Sequence, residues 1–236
     1  MKSNRPSTWL GQTARKAGGL LLLSALLISI IGCGQKNTPA APAENNAASG
    51  SAPIENKAKS WAEMPKMSID TNANYVAEVK TTKGTFEIEL FAKEAPQTVN
   101  NFVFLANEHY YDGITFHRII ETFMVQSGDP LGNGMGGPGY TIPDELDSKR
   151  SYEPGVVAMA KSSQPNSAGS QFFICTGDDA GSLNMQPVYP IFGKVKSGMD
   201  VVTAIAKTPV VENPDTMEQS KPQEEVKIET VTIHKS

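Results

Sequence analysis

Apolar residues in roughly the last two thirds of the chain recur with the two-residue period of strands in some segments and with helical spacing in others. Phe86, Ile88 and Leu90 alternate with polar residues, which predicts a strand with one buried face. After Pro96, which suits the first turn of a helix, apolar residues return every three or four positions. The patterns predict helices from Pro96 and over Met199–Ala206, and strands over Tyr75–Lys80, Thr85–Phe91, Phe116–Ile120, Phe123–Ser127, Gly155–Ala160, Gln171–Thr176, Ile191–Val195 and Val226–Ile233.

These predicted elements amount to about eight strands and two helices joined by long glycine-rich loops, and the sequence contains no internal repeat. Eight short strands in one domain indicate a β-barrel or a β-sandwich. The predicted fold class is therefore mainly β. The order of the elements does not by itself select a function.

The N-terminal segment has the pattern of an export signal. Residues 1–43 contain no acidic residue, and basic residues precede an apolar run from Leu20 to Ile31. Because a bilayer span needs roughly 20 residues, this short run predicts a secretory signal peptide. The run ends in Ile30-Ile31-Gly32-Cys33, which resembles the lipobox of bacterial lipoproteins. The resemblance implies cleavage after Gly32 and acylation of Cys33. The alternatives are an ordinary secretory signal with an unrelated cysteine and an uncleaved anchor.

Composition changes after this signal. The residues from Gly34 to about Lys66 are rich in Ala, Asn, Pro, Ser and Lys and poor in large apolar side chains, which predicts a flexible tether. The predicted organisation is a lipoprotein signal peptide over 1–32, a lipidated N-terminus and flexible linker over 33–66, and a folded domain over 67–236. Trp61 and Met64 are open to two interpretations, since they either dock on the domain or form the end of the tether.

Charge and residue types argue against several classes of function. The formal net charge of -4 and the pI of about 5.5 do not favour a nucleic-acid partner. Cys33 and Cys175 lie in different contexts, so no disulfide is predicted. The glycine-rich stretch 132–139 lacks the strand-to-helix setting of a phosphate-binding loop. No metal or cofactor is predicted, because no metal-ligand spacing is found at His109, His117 and His234.

Two long segments, Phe116–Asp129 and Asn166–Thr176, resemble the signature segments of cyclophilins, and Ile191–Val195 follows as it does in that family. The resemblance extends from about Tyr75 to the C-terminus. It implies a closed eight-stranded antiparallel β-barrel capped by two α-helices. It also implies peptidyl-prolyl cis-trans isomerase activity without a metal or cofactor.

The resemblance implies a role for each matching residue. Arg118 corresponds to the catalytic hydrogen-bond donor, and Phe123 and Gln126 complete the catalytic set. Ala160 and Lys161 correspond to positions that bind the peptide mainly through backbone groups. The remaining substrate-binding positions are Met124, Gln171, Phe173, Leu183 and Tyr189.

Several of these residues have a simpler alternative. Without this motif, Arg118 would be interpreted as one member of a surface ion pair, and Phe123, Met124 and Phe173 would be interpreted as core residues. Phe172 and Phe173 must face opposite sides of a strand, so only one of them can face a groove. His117, next to Arg118, faces away and is predicted to be structural.

The sequence also departs from the family pattern at three places. Ser182 stands where many cyclophilins carry tryptophan, and Tyr189 stands where histidine is common. Lys161 and Ser162 replace a common Asn-Ala pair.

The function that follows is isomerisation of Xaa–Pro bonds in exported proteins, which assists their folding. The expected partners are proline-containing peptide segments and, through the lipid, a membrane. The expected location is the extracytoplasmic side of the cell membrane or outer membrane, and a monomer is expected. The rival hypothesis is a proline-peptide binding module or holdase with little turnover, which has little need for a donor such as Arg118.

Overall fold

The structure, a computed structural model, describes residues 59–236. The predicted signal peptide and Cys33 therefore lie outside the described residues. In the described part, no helix is long and apolar enough to cross a membrane. The helices are α1 (Pro96–Asn107), α2 (Met199–Ala206) and a 3-10 helix (Asp178–Met185). The strands are β1 (Tyr75–Thr81), β2 (Gly84–Leu90), β3 (Arg118–Ile120), β4 (Met124–Ser127), β5 (Val156–Met159), β6 (Phe172–Cys175), β7 (Ile191–Ser197), β8 (Val210–Asn213), β9 (Glu218–Pro222) and β10 (Ile228–Lys235).

Eight of these strands form one antiparallel sheet in the order β10-β1-β2-β7-β5-β6-β4-β3, while β8 and β9 form a separate hairpin. The predicted mainly β fold is confirmed, but the sheet is a half-barrel that hydrogen bonds do not close. The two edge strands, β10 and β3, are not paired with each other. The segment before β3 instead meets the start of β10 and the residues before it: Phe116 N donates to Val226 O at 2.9 Å, Ile228 N donates to Ile114 O at 2.9 Å, and Gly113 N donates to Ile228 O at 2.8 Å. This contact is too short to continue the ladder.

The two faces of the sheet carry different apolar clusters. The larger one, here named the main core, contains Phe86, Phe102 and Phe172, and both helices bury one face in it. Phe102 is fully buried, and its ring centroid lies 5.0 to 5.6 Å from those of Tyr111, Phe172 and Phe192. Aromatic pairs at such distances stabilise a fold by more than the burial of their apolar surface alone.

The smaller cluster, here named the groove cluster, lies on the opposite face. Strand alternation assigns residues to each face, because successive side chains of a strand point to opposite sides. Ile174 and Phe172 of β6 belong to the main core, whereas Phe173 and Cys175 belong to the groove cluster. The predicted separation of Phe172 from Phe173 is thus observed. The groove cluster consists of Phe91, Met124, Tyr152, Val156, Ala158, Phe173, Cys175, Ala180 and Ile191.

The segment before β1 packs along the domain. The Trp61 ring meets Phe104 edge-on with 5.1 Å between ring centroids, and Trp61 N donates to Pro138 O at 2.9 Å. Trp61 is therefore docked, whereas Met64 is exposed. The packed structure thus begins before residue 67, where the sequence predicted the domain to start.

Candidate active site

A cavity of about 230 Å³, here named the groove, opens on the face of the sheet that carries the groove cluster. Nine of the ten domain residues predicted from the sequence line it. The tenth, Gln171, lies beside the groove and accepts a hydrogen bond at Oε1 from Nε2 of Gln126 at 2.9 Å. The lining residues are Arg118, Phe123, Met124, Gln126, Ala160, Lys161, Phe173, Leu183 and Tyr189.

Strand register brings residues that are distant in sequence into one row across the sheet. Arg118 of β3 pairs with Gln126 of β4, which pairs with Phe173 of β6, which pairs with Ala158 of β5. Directly paired residues of antiparallel strands present their side chains on the same face. The register alone therefore places a cation, an amide and an aromatic ring side by side, on the face that carries the groove cluster.

The floor of the groove is apolar and closely packed. Met124 and Phe173 are 1% and 5% exposed, and the Tyr189 ring stands edge-on to Phe173 with 5.5 Å between centroids. Phe123 and Leu183 are only partly buried, so they keep surface available to a ligand. An apolar socket of this kind suits a ring with no hydrogen-bonding group of its own.

Leu183 and Tyr189 form the edge of the groove, here named the rim, and Tyr152 and Asn184 hold the segments that carry them. Neither Tyr152 nor Asn184 was predicted from the sequence as a site residue. Tyr152 N donates to Asn184 Oδ1 at 2.8 Å, and Asn184 Nδ2 donates to Tyr152 O at 3.1 Å. The Tyr152 hydroxyl donates to Tyr189 O at 2.6 Å and accepts from Tyr189 N at 3.1 Å. Burial raises the pKa of Tyr152 above its ordinary value. These bonds connect the segment that carries Leu183 to the segment that carries Tyr189.

Arg118 is held by an acidic residue from outside the sheet. Its Nε and Nη2 donate to the Glu218 carboxylate at 2.7 and 2.8 Å. The bond from Arg118 is the main cause that lowers the pKa of Glu218 below its ordinary value. The third nitrogen, Nη1, lies 3.5 Å from Gln126 Oε1 and 3.6 Å from Met124 Sδ. The end of the guanidinium that Glu218 does not bind therefore lies on the groove side.

The glycine-rich stretch that the sequence left without a function forms one wall beside the groove. Nε2 of Gln171 donates to Gly134 O at 3.0 Å and to Gly136 O at 2.9 Å. A Cβ atom at Gly136 would lie 1.9 Å from Asp129 Oδ1, so this position requires glycine. The stretch is therefore tied to the amide pair of Gln126 and Gln171.

Two other reactive side chains of the described residues, Cys175 and His117, are wholly or partly buried. Cys175 is buried in the groove cluster, and burial raises the pKa of its thiol to about 12. Burial lowers the pKa of His117, which precedes Arg118 in the chain. Across residues 59–236, no group of three or more His, Cys, Asp or Glu side chains is arranged to hold a metal ion.

The comparisons with known proteins agree on one family. The family model described as cyclophilin type peptidyl-prolyl cis-trans isomerase/CLD matches residues 76–233. Peptidyl-prolyl cis-trans isomerase B of Streptomyces anulatus is 41% identical over 175 residues, which is 66% of this chain and 95% of that protein. A peptidyl-prolyl cis-trans isomerase of Helicobacter pylori is 39% identical over 140 residues, which is 58% of this chain and 83% of that protein.

Solved structures give the same result. A cyclophilin-type isomerase of Cryptosporidium parvum is 32% identical with a TM-score of 0.61, and the match covers 68% of this chain and 98% of that one. The same protein crystallised in the presence of the dipeptide Ala-Pro is 33% identical with a TM-score of 0.61, over 67% of this chain and 98% of that one. The chain belongs to the cyclophilin-type peptidyl-prolyl cis-trans isomerase family.

Proposed function

We propose that this isomerase uses Arg118 as the donor that assists rotation about Xaa–Pro bonds, and that it acts on exported proteins while anchored by a lipid on Cys33. The family membership supports the reaction. The observation that carries the proposed mechanism is the position of Arg118 Nη1, on the groove side, next to Gln126 and Met124.

Rotation about a peptide bond faces a barrier of about 18–20 kcal/mol, because the C–N bond has partial double-bond character. At the top of the barrier that character is lost and the prolyl nitrogen regains its lone pair. A hydrogen bond from a guanidinium N–H to this nitrogen is stronger in the rotated transition state than in the planar ground state. The bond therefore lowers the barrier. Arginine suits this role because it keeps its proton at every working pH. No covalent bond is made or broken.

The other groove residues hold the peptide. Phe123, Met124 and Phe173 form the socket for the proline ring, and Leu183 and Tyr189 close its rim. The apolar socket excludes water, which strengthens the hydrogen bond from Arg118.

Polar groups beside the socket are assigned to the flanking peptide. The amides of Gln126 and Gln171 can donate to it and accept from it. Ala160 N already donates to Gln171 O at 2.9 Å, so we assign the carbonyl of Ala160 to the peptide. The part of Lys161 that we assign to the peptide is its backbone, since its ammonium pairs with Asp144.

Two measurements on one preparation test this function against the binding-module alternative. The first is the cis-trans exchange rate of an Xaa–Pro peptide, and the second is the dissociation constant of the same peptide. We expect acceleration at protein concentrations far below that of the peptide. Saturable binding without acceleration would instead identify a binding module or holdase.

The proposed location rests on the sequence from Ile30 to Cys33. An acylated Cys33 would keep the domain on the extracytoplasmic side of the cell membrane or outer membrane, where exported chains emerge unfolded. Uncatalysed prolyl isomerisation takes tens to hundreds of seconds and can limit their folding. We expect wild type to enter the detergent phase in Triton X-114 partitioning and Cys33→Ser to remain in the aqueous phase. Equal partitioning of the two proteins would contradict the anchor.

A further inference from the structure

The β8–β9 hairpin contributes a side chain that binds Arg118, although it lies outside the eight-stranded sheet. Glu218, the first residue of β9, comes 100 residues after Arg118, and the two form a bidentate pair with distances of 2.7 and 2.8 Å. The hairpin also packs against β3, the strand that carries Arg118. The hairpin therefore brings a carboxylate to the guanidinium from outside the sheet.

The pair uses one edge of the guanidinium and leaves Nη1, at the opposite end, unbound by the carboxylate. Nε and Nη2 share an edge, and both carboxylate oxygens of Glu218 accept from that edge. Because the guanidinium is planar, fixing one edge also fixes the plane and the direction of Nη1. Nη1 is the nitrogen near Gln126 Oε1 on the groove side. The carboxylate thus orients the donor without covering it.

Glu218 is itself held in place. The bond from Arg118 and, after it, the hydroxyl of Ser220, a residue that is 1% exposed, lower the pKa of Glu218. Met217 precedes Glu218 in a left-handed conformation with φ of 57°, and its N–H donates to Asn213 O at 2.8 Å. Strained positions of this kind persist where the surrounding structure holds them. The turn therefore starts β9 in a fixed direction at Glu218.

We propose that Glu218 is a positioning residue for the isomerase reaction, which acts only through Arg118 and sets the direction of its groove-side N–H. This inference rests on the proposed role of Arg118. A free arginine side chain samples many rotamers, and fixing it during each turnover costs conformational entropy. Glu218 fixes it in advance, so the benefit falls on turnover and not on peptide affinity.

The first test is Glu218→Gln, which keeps the shape of the side chain but removes its charge. We expect the turnover number to fall about tenfold, because a displaced catalytic group commonly costs this much or more. The dissociation constant of the peptide should stay within about twofold of wild type, since Glu218 lies away from the socket. Glu218→Asp, which keeps the charge, should recover part of the turnover.

The matched control is Glu212→Gln, which removes an exposed carboxylate from the other strand of the same hairpin. This control should have wild-type turnover. Unchanged turnover in Glu218→Gln would overturn the proposal. Increased turnover would also overturn it, because the carboxylate would then compete with substrate for the guanidinium.

A double-mutant cycle and a spectrum separate positioning from a general structural effect. In the Arg118→Ala background, Glu218→Gln should cause no further loss of turnover. In ¹⁵N spectra of wild type, the Arg118 guanidinium should rotate slowly about Nε–Cζ, and Glu218→Gln should release that rotation. Equal losses in both backgrounds, or an unchanged spectrum, would overturn the proposal. Near-normal turnover of Arg118→Ala alone would instead overturn the proposed role of Arg118.

Discussion

Two cationic side chains line the same groove and each is paired with a carboxylate, but the two pairs differ in burial and geometry. The Arg118 and Glu218 side chains are 32% and 34% exposed, whereas those of Lys161 and Asp144 are 6% and 11% exposed. Arg118 keeps a nitrogen on the groove side after pairing, because its guanidinium has three. A lysine side chain has a single nitrogen, and the Nζ of Lys161 donates to Asp144. Equal charge in one cavity therefore does not imply an equal role.

The Lys161 pair connects segments of the chain. Asp144 also accepts at Oδ2 from Asn166 N at 3.0 Å, and Asp144 N donates to Asn166 Oδ1 at 2.8 Å. These bonds join the loop before β5 to the loop before β6. We infer that this pair stabilises the walls of the groove, while the Arg118 pair serves turnover.

The largest effect should come from breaking the buried pair. Asp144→Asn leaves the Lys161 ammonium without its charge partner, and removal of one member of a buried pair costs about 3–5 kcal/mol. We expect the free energy of unfolding to fall by that amount in urea titrations. Glu229→Gln is the control, because it breaks the exposed pair with Lys80 and should cost less than about 1 kcal/mol. Equal stability of the two variants would contradict the structural role of the Lys161 pair.

The next effect concerns the other cation. Arg118→Lys keeps the charge but replaces the planar fork with a single ammonium, so it cannot bind Glu218 at two points and also present a donor. We expect at least about 100-fold lower turnover, because loss of one preorganised donor typically costs about 2.7–4 kcal/mol. The control is Arg150→Lys at the exposed pair with Glu94. If Arg118→Lys had the same turnover as Arg150→Lys, a positive charge at position 118 would be sufficient for the reaction.

The sequence was sufficient to predict the strands of the sheet and the residues that line the groove. Apolar patterns, with clear period-two alternation in Phe86, Ile88 and Leu90, located the strands of the sheet, and the family segments located Arg118, Gln126 and Phe173. The groove residues follow from these segments because antiparallel register places them in one row. Local pattern and segment matching were sufficient where partners lie in neighbouring strands.

The carboxylate partners could not be predicted in this way. Glu218 and Asp144 reach Arg118 and Lys161 through tertiary packing, and nothing in their local sequence indicates a cation 100 or 17 residues away. The hairpin that carries Glu218 was missed because Val210–Asn213 and Glu218–Pro222 bury only one residue, Ser220, and lack apolar alternation. The closed barrel was wrong because closure depends on pairing between β10 and β3, about which neither strand's pattern is informative.

A smaller effect should separate binding from turnover. Gln171→Ala removes the bonds to Gln126 and to the carbonyls of Gly134 and Gly136. A hydrogen bond contributes about 1 kcal/mol net, so we expect the peptide to bind about fivefold more weakly, with little change in turnover at saturation. Peptide titration and saturating exchange measurements provide the two values. A loss confined to turnover would place Gln171 with Arg118 and not with the peptide anchors.

The smallest effect on turnover is expected at the rim. Ser182 is exposed on the 3-10 helix next to Leu183, at the position where many cyclophilins carry tryptophan. Cyclosporin-type macrocycles bind cyclophilins in the groove, and an indole offers them a large apolar face and an N–H donor. We expect weak binding by wild type and about tenfold tighter binding by Ser182→Trp, with unchanged turnover. Nanomolar binding by wild type would show that the rim lies elsewhere.

The central claim is that Arg118 provides a donor for rotation, and the most direct measurement uses Arg118→Ala. Exchange spectroscopy with one Xaa–Pro peptide gives its cis-trans rate on the protein, and a titration of the same sample gives its dissociation constant. We predict a rate at least about 100-fold below that of wild type, with the peptide still bound in the groove and the fold intact. A folded Arg118→Ala variant with near-normal turnover would contradict the account.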